Sequence, residues 1–155
     1  MTSPINKFNI RVYGVLINAH QEVLLVKEKI GDFEFVKFPG GGLHFGEGTA
    51  DCIIREFKEE TDQDISIVKH IYTTDFFVQS AFKTTDQLLS VYYQVACGTF
   101  ELIPSQRTIK IEGSREEMLS FKWVKLNELN ADMLTFPIDK YLVSNYLTNR
   151  LAFTF

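Results

Sequence analysis

One segment, residues 40–65, constrains the fold of this 155-residue chain more than any other part. Within it, apolar side chains recur at the spacing that places them along one face of a helix. These apolar residues are Ala50, Ile53, Ile54 and Phe57. The spacing predicts a helix that begins near Ala50, with Thr49 as its N-terminal cap. Five glycines between Gly40 and Gly48 predict a loop immediately before this helix.

Segments with strand character flank the helix. The first two, residues 11–17 and 23–26, are separated by a short polar turn, so we predict a hairpin. The other predicted strands are residues 33–38, 65–78, 88–96 and 118–124, with a mostly irregular loop at 99–114. A second helix is predicted from Pro137 to about Asn149, because proline is favoured in the first helical turn. A central and a terminal helix among strands indicate an α/β sandwich with a mixed sheet.

The composition indicates one globular domain over residues 1–155. Hydrophobic residues make up 45% of the chain and aromatic residues 14%, which supplies a core and excludes intrinsic disorder. The formal charge is −4 and the basic residues are scattered, so no stable nucleic-acid partner is expected. No apolar run approaches the roughly 18 residues of a membrane span. The start of the chain lacks a secretory signal, and Cys52 and Cys97 form no close pair, so we expect a cytoplasmic protein.

Three carboxylates, those of Glu56, Glu59 and Glu60, share one flank of the predicted helix. Such like charges repel by roughly 0.2–0.5 kcal/mol per pair, and they lie near the negative end of the helix dipole. Only Arg55, four residues before Glu59, offers an ion pair within the helix. A hard divalent cation would convert this repulsion into ligation, and all-oxygen ligands indicate Mg²⁺ or Mn²⁺. The alternative is an ordinary solvated acidic face.

The glycine-rich loop favours the metal interpretation. Backbone without side chains can approach phosphate oxygens or offer carbonyl oxygens to a metal ion. The loop is not a Walker loop, because Glu47 stands where that motif requires lysine, and it also fails the G-x-G-x-x-G pattern.

Loop and helix together resemble the Nudix box. That motif reads Gly, five residues, Glu, seven residues, Arg-Glu, an apolar residue, any residue, Glu-Glu, any residue, Gly and an apolar residue. The matching residues here are Gly41, Glu47, Arg55, Glu56, Phe57, Glu59 and Glu60. Two positions depart from the motif: Asp62 replaces its glycine and Gln63 its last apolar residue, although Ile65 is available to supply the lost apolar contact. Residues 38–41 and 121–124 also resemble the family's entry into the box and its late strand.

This resemblance implies a Nudix-type α/β/α sandwich. It further implies Mg²⁺-dependent hydrolysis of the diphosphate linkage in a nucleoside diphosphate joined to another moiety. Glu56 and Glu60 would be the principal metal ligands, Glu59 a ligand or base, and Gly41 a backbone contributor to metal and substrate binding. Arg55 would hold the acidic cluster in place, and Glu47 would support the loop and helix.

Residues outside these box positions are further candidates. In this family the general base comes from the box or from a downstream acid, for which Glu117, with Glu116 behind it, is the candidate. Lys27 and Arg107 are candidate phosphate-binding residues, and each is equally well interpreted as an ordinary surface charge. Aromatic candidates for stacking on a base are Phe33, Phe35, Phe45, Tyr92 and Tyr93.

Two other functions stay open at this point. The departures at Asp62 and Gln63 favour a catalytically silent Nudix-fold module that binds a nucleotide or sugar ligand, and the third interpretation is a plain structural domain. The substrate is open among nucleotide sugars, ADP-ribose, dinucleotides and damaged nucleoside triphosphates. The apolar tail at residues 151–155 either folds back onto the sheet or contacts a second copy, and we favour a homodimer.

Overall fold

The computed structural model of the protein describes residues 4–111 and 115–148. The strands and α-helices are β1 (Lys7–Leu16), β2 (Glu22–Ile30), β3 (Phe33–Lys37), β4 (Gly40–Gly42), α1 (Thr49–Thr61), β5 (Ser66–Thr73), β6 (Asp86–Ala96), β7 (Gln106–Ile111), β8 (Arg115–Lys125) and α2 (Pro137–Leu142). A π turn, Val143–Leu147, continues α2. The apolar tail at residues 151–155, on which the homodimer prediction depends, lies outside the described residues.

The strands form two four-stranded sheets. The first has the order β4-β1-β6-β5, in which β1 and β6 run parallel and the other pairs antiparallel. This confirms the predicted mixed sheet. The second has the order β3-β2-β8-β7, and all its pairs are antiparallel.

The predicted hairpin between residues 11–17 and 23–26 is wrong. The two strands exist, but β1 and β2 belong to different sheets, and only an isolated bridge between Ile17 and Val23 joins them. The physical reason is that β4 and β6 already occupy both edges of β1, so β2 must pair elsewhere.

Helices on both faces give the α/β/α sandwich that the sequence predicts. Alternate residues of β1 divide between two cores, as the two-residue period of a strand requires. Val12 and Leu16 pack in the core beneath α1, whereas Tyr13 and Val15 pack in the core that includes α2. Gly14 lies between them, and a Cβ atom at this position would be 2.4 Å from Phe57 Cε2. The glycine therefore allows α1 to lie close to the sheet.

The buried face of α1 differs slightly from the predicted stripe. Its buried apolar residues are Cys52, Ile53 and Phe57. Ile54, which the spacing places in the stripe, is 38% exposed. The prediction of Thr49 as the cap is also wrong: Gly48 occupies that position, because the Thr49 hydroxyl is hydrogen-bonded to Tyr93 Oη at 2.6 Å.

Two segments predicted as loops form strands. Residues 40–42 pair with β1 as β4, and residues 106–111 pair with β8 as β7. β4 arises from the hydrogen bonds of the β1 edge, since glycine is a poor strand former, whereas β7 also has local strand preference through the β-branched Thr108, Ile109 and Ile111.

Several other boundaries differ from the predictions; for example, β1 begins at Lys7 instead of Arg11, and β2 extends to Ile30. The strand predicted at residues 65–78 ends at Thr73, and the last strand begins at Arg115 instead of Met118. The terminal helix is α-helical only as far as Leu142. Among the described residues, no helix is long and apolar enough to cross a membrane.

Candidate active site

The acidic flank of α1 lies against the glycine strand β4. A Cβ atom on Gly41 would be only 2.4 Å from Glu56 Oε1, so glycine leaves the room that this carboxylate occupies. The backbone N–H of Gly40 donates a hydrogen bond to Glu60 Oε2 at 3.3 Å. Three of the predicted site residues, Gly41, Glu56 and Glu60, therefore meet at the junction of β4 and α1.

A first group of charges, the Arg55 cluster, comprises Glu47, Arg55, Glu56 and Glu59. Arg55 Nε and Nη2 donate to the two carboxylate oxygens of Glu47 at 3.0 and 2.6 Å. Its Nη1 lies 3.0 Å from Glu56 Oε1 and 3.2 Å from Glu59 Oε1, and Nη2 also donates to the Gly42 carbonyl at 3.0 Å. The predicted ion pair between Arg55 and Glu59 is present, and the same guanidinium also fixes the other two carboxylates.

A second group, the Lys37 cluster, comprises Glu28, Lys37 and Glu60. Lys37 Nζ lies 3.1 Å from Glu28 Oε1 and 3.6 Å from Glu60 Oε1, and it donates to the Gly40 carbonyl at 2.9 Å. The Lys37 side chain is 5% exposed and the Glu60 side chain 6%. Lys37 and Glu28 were not among the predicted site residues, because helical spacing relates Glu60 only to residues of its own helix. The available signal was a lysine among the apolar residues of the strand that directly precedes the box.

Burial and ion pairing shift the pKa values of the acids in opposite directions. The Arg55 guanidinium lowers the pKa of Glu47 to about 2. Burial raises the pKa of Glu60 to about 8, although Lys37 opposes the shift. Burial and the neighbouring Glu59 also raise the pKa of Glu56, against the effect of Arg55. The carboxylates at this junction therefore differ in their affinity for a proton.

The residues at the junction fit a divalent cation in their donor chemistry. All the candidate donors are oxygens, and the space beside Glu56 Oε1 is open only because Gly41 lacks a Cβ atom. In the arrangement described for residues 4–111 and 115–148, no three His, Cys, Asp or Glu side chains are grouped as a ready metal site. Arg55 Nη1 contacts both Glu56 and Glu59, and Lys37 contacts Glu60.

A cleft of about 280 Å³ opens beside the Lys37 cluster. Strands β1 and β6 line one side and β2 and β3 the other, with residues 78–83 and 136–139 completing the wall. Three mutually contacting rings, Phe35, Phe82 and Phe136, have centroids 5.3–5.8 Å apart along this wall. The cleft therefore has an aromatic wall, and its lining also includes Glu28 and Lys37.

Three further charged residues line this cleft and were not among the predicted site residues: Arg11, Lys83 and Asp139. Arg11 projects from β1, and Asp139 lies in the first turn of α2. The Tyr92 hydroxyl donates to Asp139 Oδ1 at 2.5 Å, and burial raises the pKa of Asp139 to about 6. None of the three residues belongs to a recognisable sequence motif, so only the fold brings them to the cleft.

Glu117 lies in β8, and its side chain is 10% exposed and 3.0 Å from Arg115 Nη2. It lies two residues before Leu119, on the face of the strand that packs in the core beneath α1. Glu116 is on the opposite face and is exposed. Within residues 4–111 and 115–148, no hydrogen bond or ion pair joins Glu117 to the Arg55 cluster.

The two predicted phosphate-binding residues lie away from the cleft lining. Lys27 is half-exposed in β2 and forms a 3.9 Å ion pair with Glu34. Arg107 lies in β7, where its Nη1 is 4.0 Å from Asp62 Oδ2 and its Nε is buried without a hydrogen-bond partner in the described structure. The fold does not bring either residue to Glu56 or Glu60.

The aromatic candidates separate into two groups. Phe35 and Tyr92 line the cleft, and Phe33 packs against Phe35. Tyr93 contacts Thr49 instead, and Phe45 is fully exposed in the loop before α1.

The C-terminal end of α1 keeps a left-handed cap despite the absence of glycine. Asp62 adopts φ 58° and ψ 22°, and its N–H donates to the Lys58 carbonyl at 3.0 Å. The Lys58 ammonium group lies 3.6 Å from Asp62 Oδ1. Ile65 packs against the core beneath α1, so it supplies the apolar contact that Gln63 cannot make, as the sequence predicts.

The sequence profile of the NUDIX domain matches residues 7–145. The chain therefore belongs to the NUDIX domain family, as the box predicts. Members of this family generally use divalent metal ions such as Mg²⁺.

Named relatives share this fold. The chain is 28% identical over 153 residues to Nudix hydrolase 2 of Arabidopsis thaliana, a match that covers 96% of this chain and 49% of the relative. It thus spans about half the length of that curated relative. Its fold is similar to that of a NUDIX hydrolase from Nitrosomonas europaea, with a TM-score of 0.68, 22% identity and coverage of 90% and 88% of the two chains. It also resembles an ADP-ribose pyrophosphatase from Streptococcus suis 89-1591, with a TM-score of 0.58, 14% identity and coverage of 94% and 92%.

Proposed function

We propose that this chain is a divalent-metal-dependent hydrolase that cleaves the diphosphate linkage of a nucleoside diphosphate joined to another moiety. One observation carries the proposal: the box acids lie beside an aromatic-walled cleft of about 280 Å³, and the Lys37 cluster belongs to both features. A small molecule with an aromatic group in the cleft would thus place its phosphates near the acids. Membership of the NUDIX family and the hydrolase names of the relatives support the same activity.

Glu56, Glu59, Glu60 and the backbone of Gly41 would hold Mg²⁺ or Mn²⁺. When bound, the metal would neutralise the diphosphate charge and lower the pKa of a bound water. The chain supplies the positioning: Arg55 fixes Glu56 and Glu59, and Lys37 fixes Glu60 and the Gly40 carbonyl.

The general base is proposed from two residues. Glu59 is 54% exposed and lies on the flank of the cluster, where it can accept a proton from water. Glu117 is the alternative, on the core face of β8. Glu59→Gln and Glu117→Gln separate them, because the base variant should lower the turnover rate most steeply at neutral pH without altering the affinity for nucleotide.

The test of the function is release of phosphate or nucleoside monophosphate from a mixed substrate panel. The panel comprises nucleoside triphosphates, nucleotide sugars, ADP-ribose and dinucleotides, each with Mg²⁺, with Mn²⁺ and with chelator. We expect cleavage of at least one member only when metal is present. Glu60→Gln should lower that rate at least tenfold, about 1.4 kcal/mol of barrier, because a metal ligand is lost.

Asp51→Asn is the matched control, since Asp51 is an exposed acid on the same helix outside both clusters. Its turnover should stay within about twofold of the unmodified protein, a barrier change below roughly 0.5 kcal/mol. Unchanged turnover in Glu60→Gln would exclude the metal role of Glu60. If the folded protein cleaves no member of the panel but a nucleotide raises its Tm, the result would instead support a binding module without catalysis.

A further inference from the structure

Arg11 lies where the cleft meets the glycine strand of the box. It pairs with Gly42 in the β1–β4 register, and a Cβ atom on Gly42 would be 3.9 Å from Arg11 Nη1. The same side chain lines the cleft together with Lys37. Arg11 is therefore adjacent both to the loop that supports the acidic residues and to the space where a ligand would bind.

The guanidinium of Arg11 has unused hydrogen-bonding capacity. Its Nε donates to Tyr13 Oη at 2.7 Å, and its central carbon lies 5.7 Å from the centre of the Tyr13 ring. Across residues 4–111 and 115–148, no carboxylate forms an ion pair with Arg11. Guanidinium groups carry five N–H donors in a planar fork, so its terminal nitrogens are free to bind an anion.

The contrast with Lys37 is informative, because the two cations line the same cleft. Lys37 is fully engaged by Glu28, Glu60 and the Gly40 carbonyl. Among the described residues, Arg11 has only the hydroxyl of Tyr13 as a hydrogen-bond partner. Of these two cations, Arg11 is the one whose terminal N–H donors are not taken up by carboxylates.

We propose that the Arg11 guanidinium binds a phosphate group of the substrate at the boundary between the cleft and the acidic cluster. The inference deepens the hydrolase function proposed above and depends on it for the identity of the phosphate. A tetrahedral phosphate accepts two parallel N–H bonds from an arginine fork, which fixes both its position and its orientation. Held there, the diphosphate is directed from the cleft towards Glu56 and Glu60.

The experiment measures binding of methylenediphosphonate, a diphosphate analogue that cannot be hydrolysed, by calorimetry with Mg²⁺ present. Arg11→Met should weaken binding at least tenfold, since a charge-assisted hydrogen-bonding partner is lost. Arg11→Lys keeps the charge without the fork and should lose less. For any panel substrate that is cleaved, Arg11→Met should raise KM more than it lowers kcat.

Two controls separate ligand binding from a structural role. Lys122→Met removes an exposed cation of β8 that does not line the cleft, and the affinity should stay within twofold. Urea unfolding of Arg11→Met is the second control, and its transition midpoint should stay close to that of the unmodified protein. If Lys122→Met weakened binding as much as Arg11→Met, binding would not depend on Arg11 in particular and the inference would fail.

The outcomes distinguish this inference from the hydrolase proposal. If the panel is cleaved but Arg11→Met keeps normal KM and normal diphosphonate affinity, the hydrolase proposal stands and the role of Arg11 is excluded. If nothing is cleaved yet Arg11→Met abolishes diphosphonate binding, the anion site stands without the activity. If the unmodified protein binds no diphosphonate, the inference is overturned.

Discussion

The two charge clusters at the candidate site hold their acids in different environments. In the Arg55 cluster, the arginine side chain is 24% exposed and Glu59 is 54% exposed. In the Lys37 cluster, the lysine and Glu60 are almost completely buried. The first cluster lies at the surface on the flank of α1, whereas the second lies inside the fold, between β2, β3 and α1.

Because of this difference in burial, we expect the two clusters to contribute differently to the stability of the fold and to the proposed metal site. The Arg55 cluster is solvated mainly through Arg55 and Glu59, so the Arg55–Glu59 pair contributes little to folding and can rearrange around a metal. A buried cluster must stay paired, because an isolated charge in the interior is costly. We infer that Lys37 secures the fold and the position of Glu60, while Arg55 controls the arrangement of Glu56 and Glu59, the other proposed metal ligands.

Removing the buried cation should have the largest effect. At pH 9, above the pKa of about 8 that Glu60 has beside Lys37, Lys37→Met leaves Glu28 and Glu60 as buried carboxylates without their partner, which should lower the free energy of unfolding by about 3–5 kcal/mol. Urea unfolding measures this loss as a shift of the transition midpoint. Lys29→Met, an exposed lysine on the same sheet, is the matched control and should change stability by less than about 0.5 kcal/mol.

If Lys37→Met fails to fold, a compensated variant keeps the comparison testable. Adding Glu28→Gln and Glu60→Gln to Lys37→Met removes the two unpaired charges and should recover most of the lost stability. If Lys37→Met were as stable as the Lys29→Met control, the buried cluster would not stabilise the fold.

The two clusters should also respond to pH in opposite ways. Because the pKa of Glu60 is raised above its ordinary 4.5, the folded state binds more protons than the unfolded state up to about pH 8. The stabilising contribution of Glu60 is thus complete below pH 4.5 and is lost as the pH rises through about 8. For Glu47, with its pKa lowered to about 2, the contribution is present above pH 4.5 and is lost as the pH falls towards 2.

This contrast is measured in the presence of chelator by comparing the unfolding free energy of the unmodified protein with that of Glu60→Gln and that of Glu47→Gln. From pH 5 to pH 9, the unfolding free energy of the unmodified protein should fall relative to that of Glu60→Gln by more than about 1.4 kcal/mol, the equivalent of one pKa unit. Relative to Glu47→Gln, the advantage of the unmodified protein should shrink only below about pH 4. A Glu60→Gln difference that is constant from pH 5 to 9 would mean that Glu60 is ionised throughout, like Glu47.

The Arg55 cluster could be predicted from the sequence, and the Lys37 cluster could not. Arg55, Glu56 and Glu59 lie on one helix, so helical spacing alone places them together. Lys37 reaches Glu60 from another strand, and no local spacing rule relates residues that are 23 positions apart. The same limit explains why Arg11 and Asp139 were missed, since the cleft brings together strands and loops from distant parts of the chain.

The fold likewise depends partly on local sequence patterns and partly on pairing between residues that are distant in the sequence. Period-3.6 and period-2 patterns identified α1 and most strands, and the box identified the sandwich. Residues 40–42 form a strand only because β1 offers them an edge, which no local preference reveals, whereas residues 106–111 follow the two-residue alternation of a strand. The choice of different sheets for β1 and β2 likewise depends on the pairing of β1 with β6.

The smallest effect is expected at Asp62, where the chain departs from the box. Its left-handed conformation costs an ordinary residue about 1–2 kcal/mol, but aspartate tolerates it better, and Lys58 lies beside its carboxylate. Asp62→Gly removes the strain together with this ion pair, so stability should change by less than about 1 kcal/mol. Since Asp62 belongs to neither cluster, turnover of any cleaved substrate should stay within twofold. A large gain in turnover would instead show that the end of α1 limits catalysis. Asp62 would then influence the reaction rate although it lies outside both charge clusters.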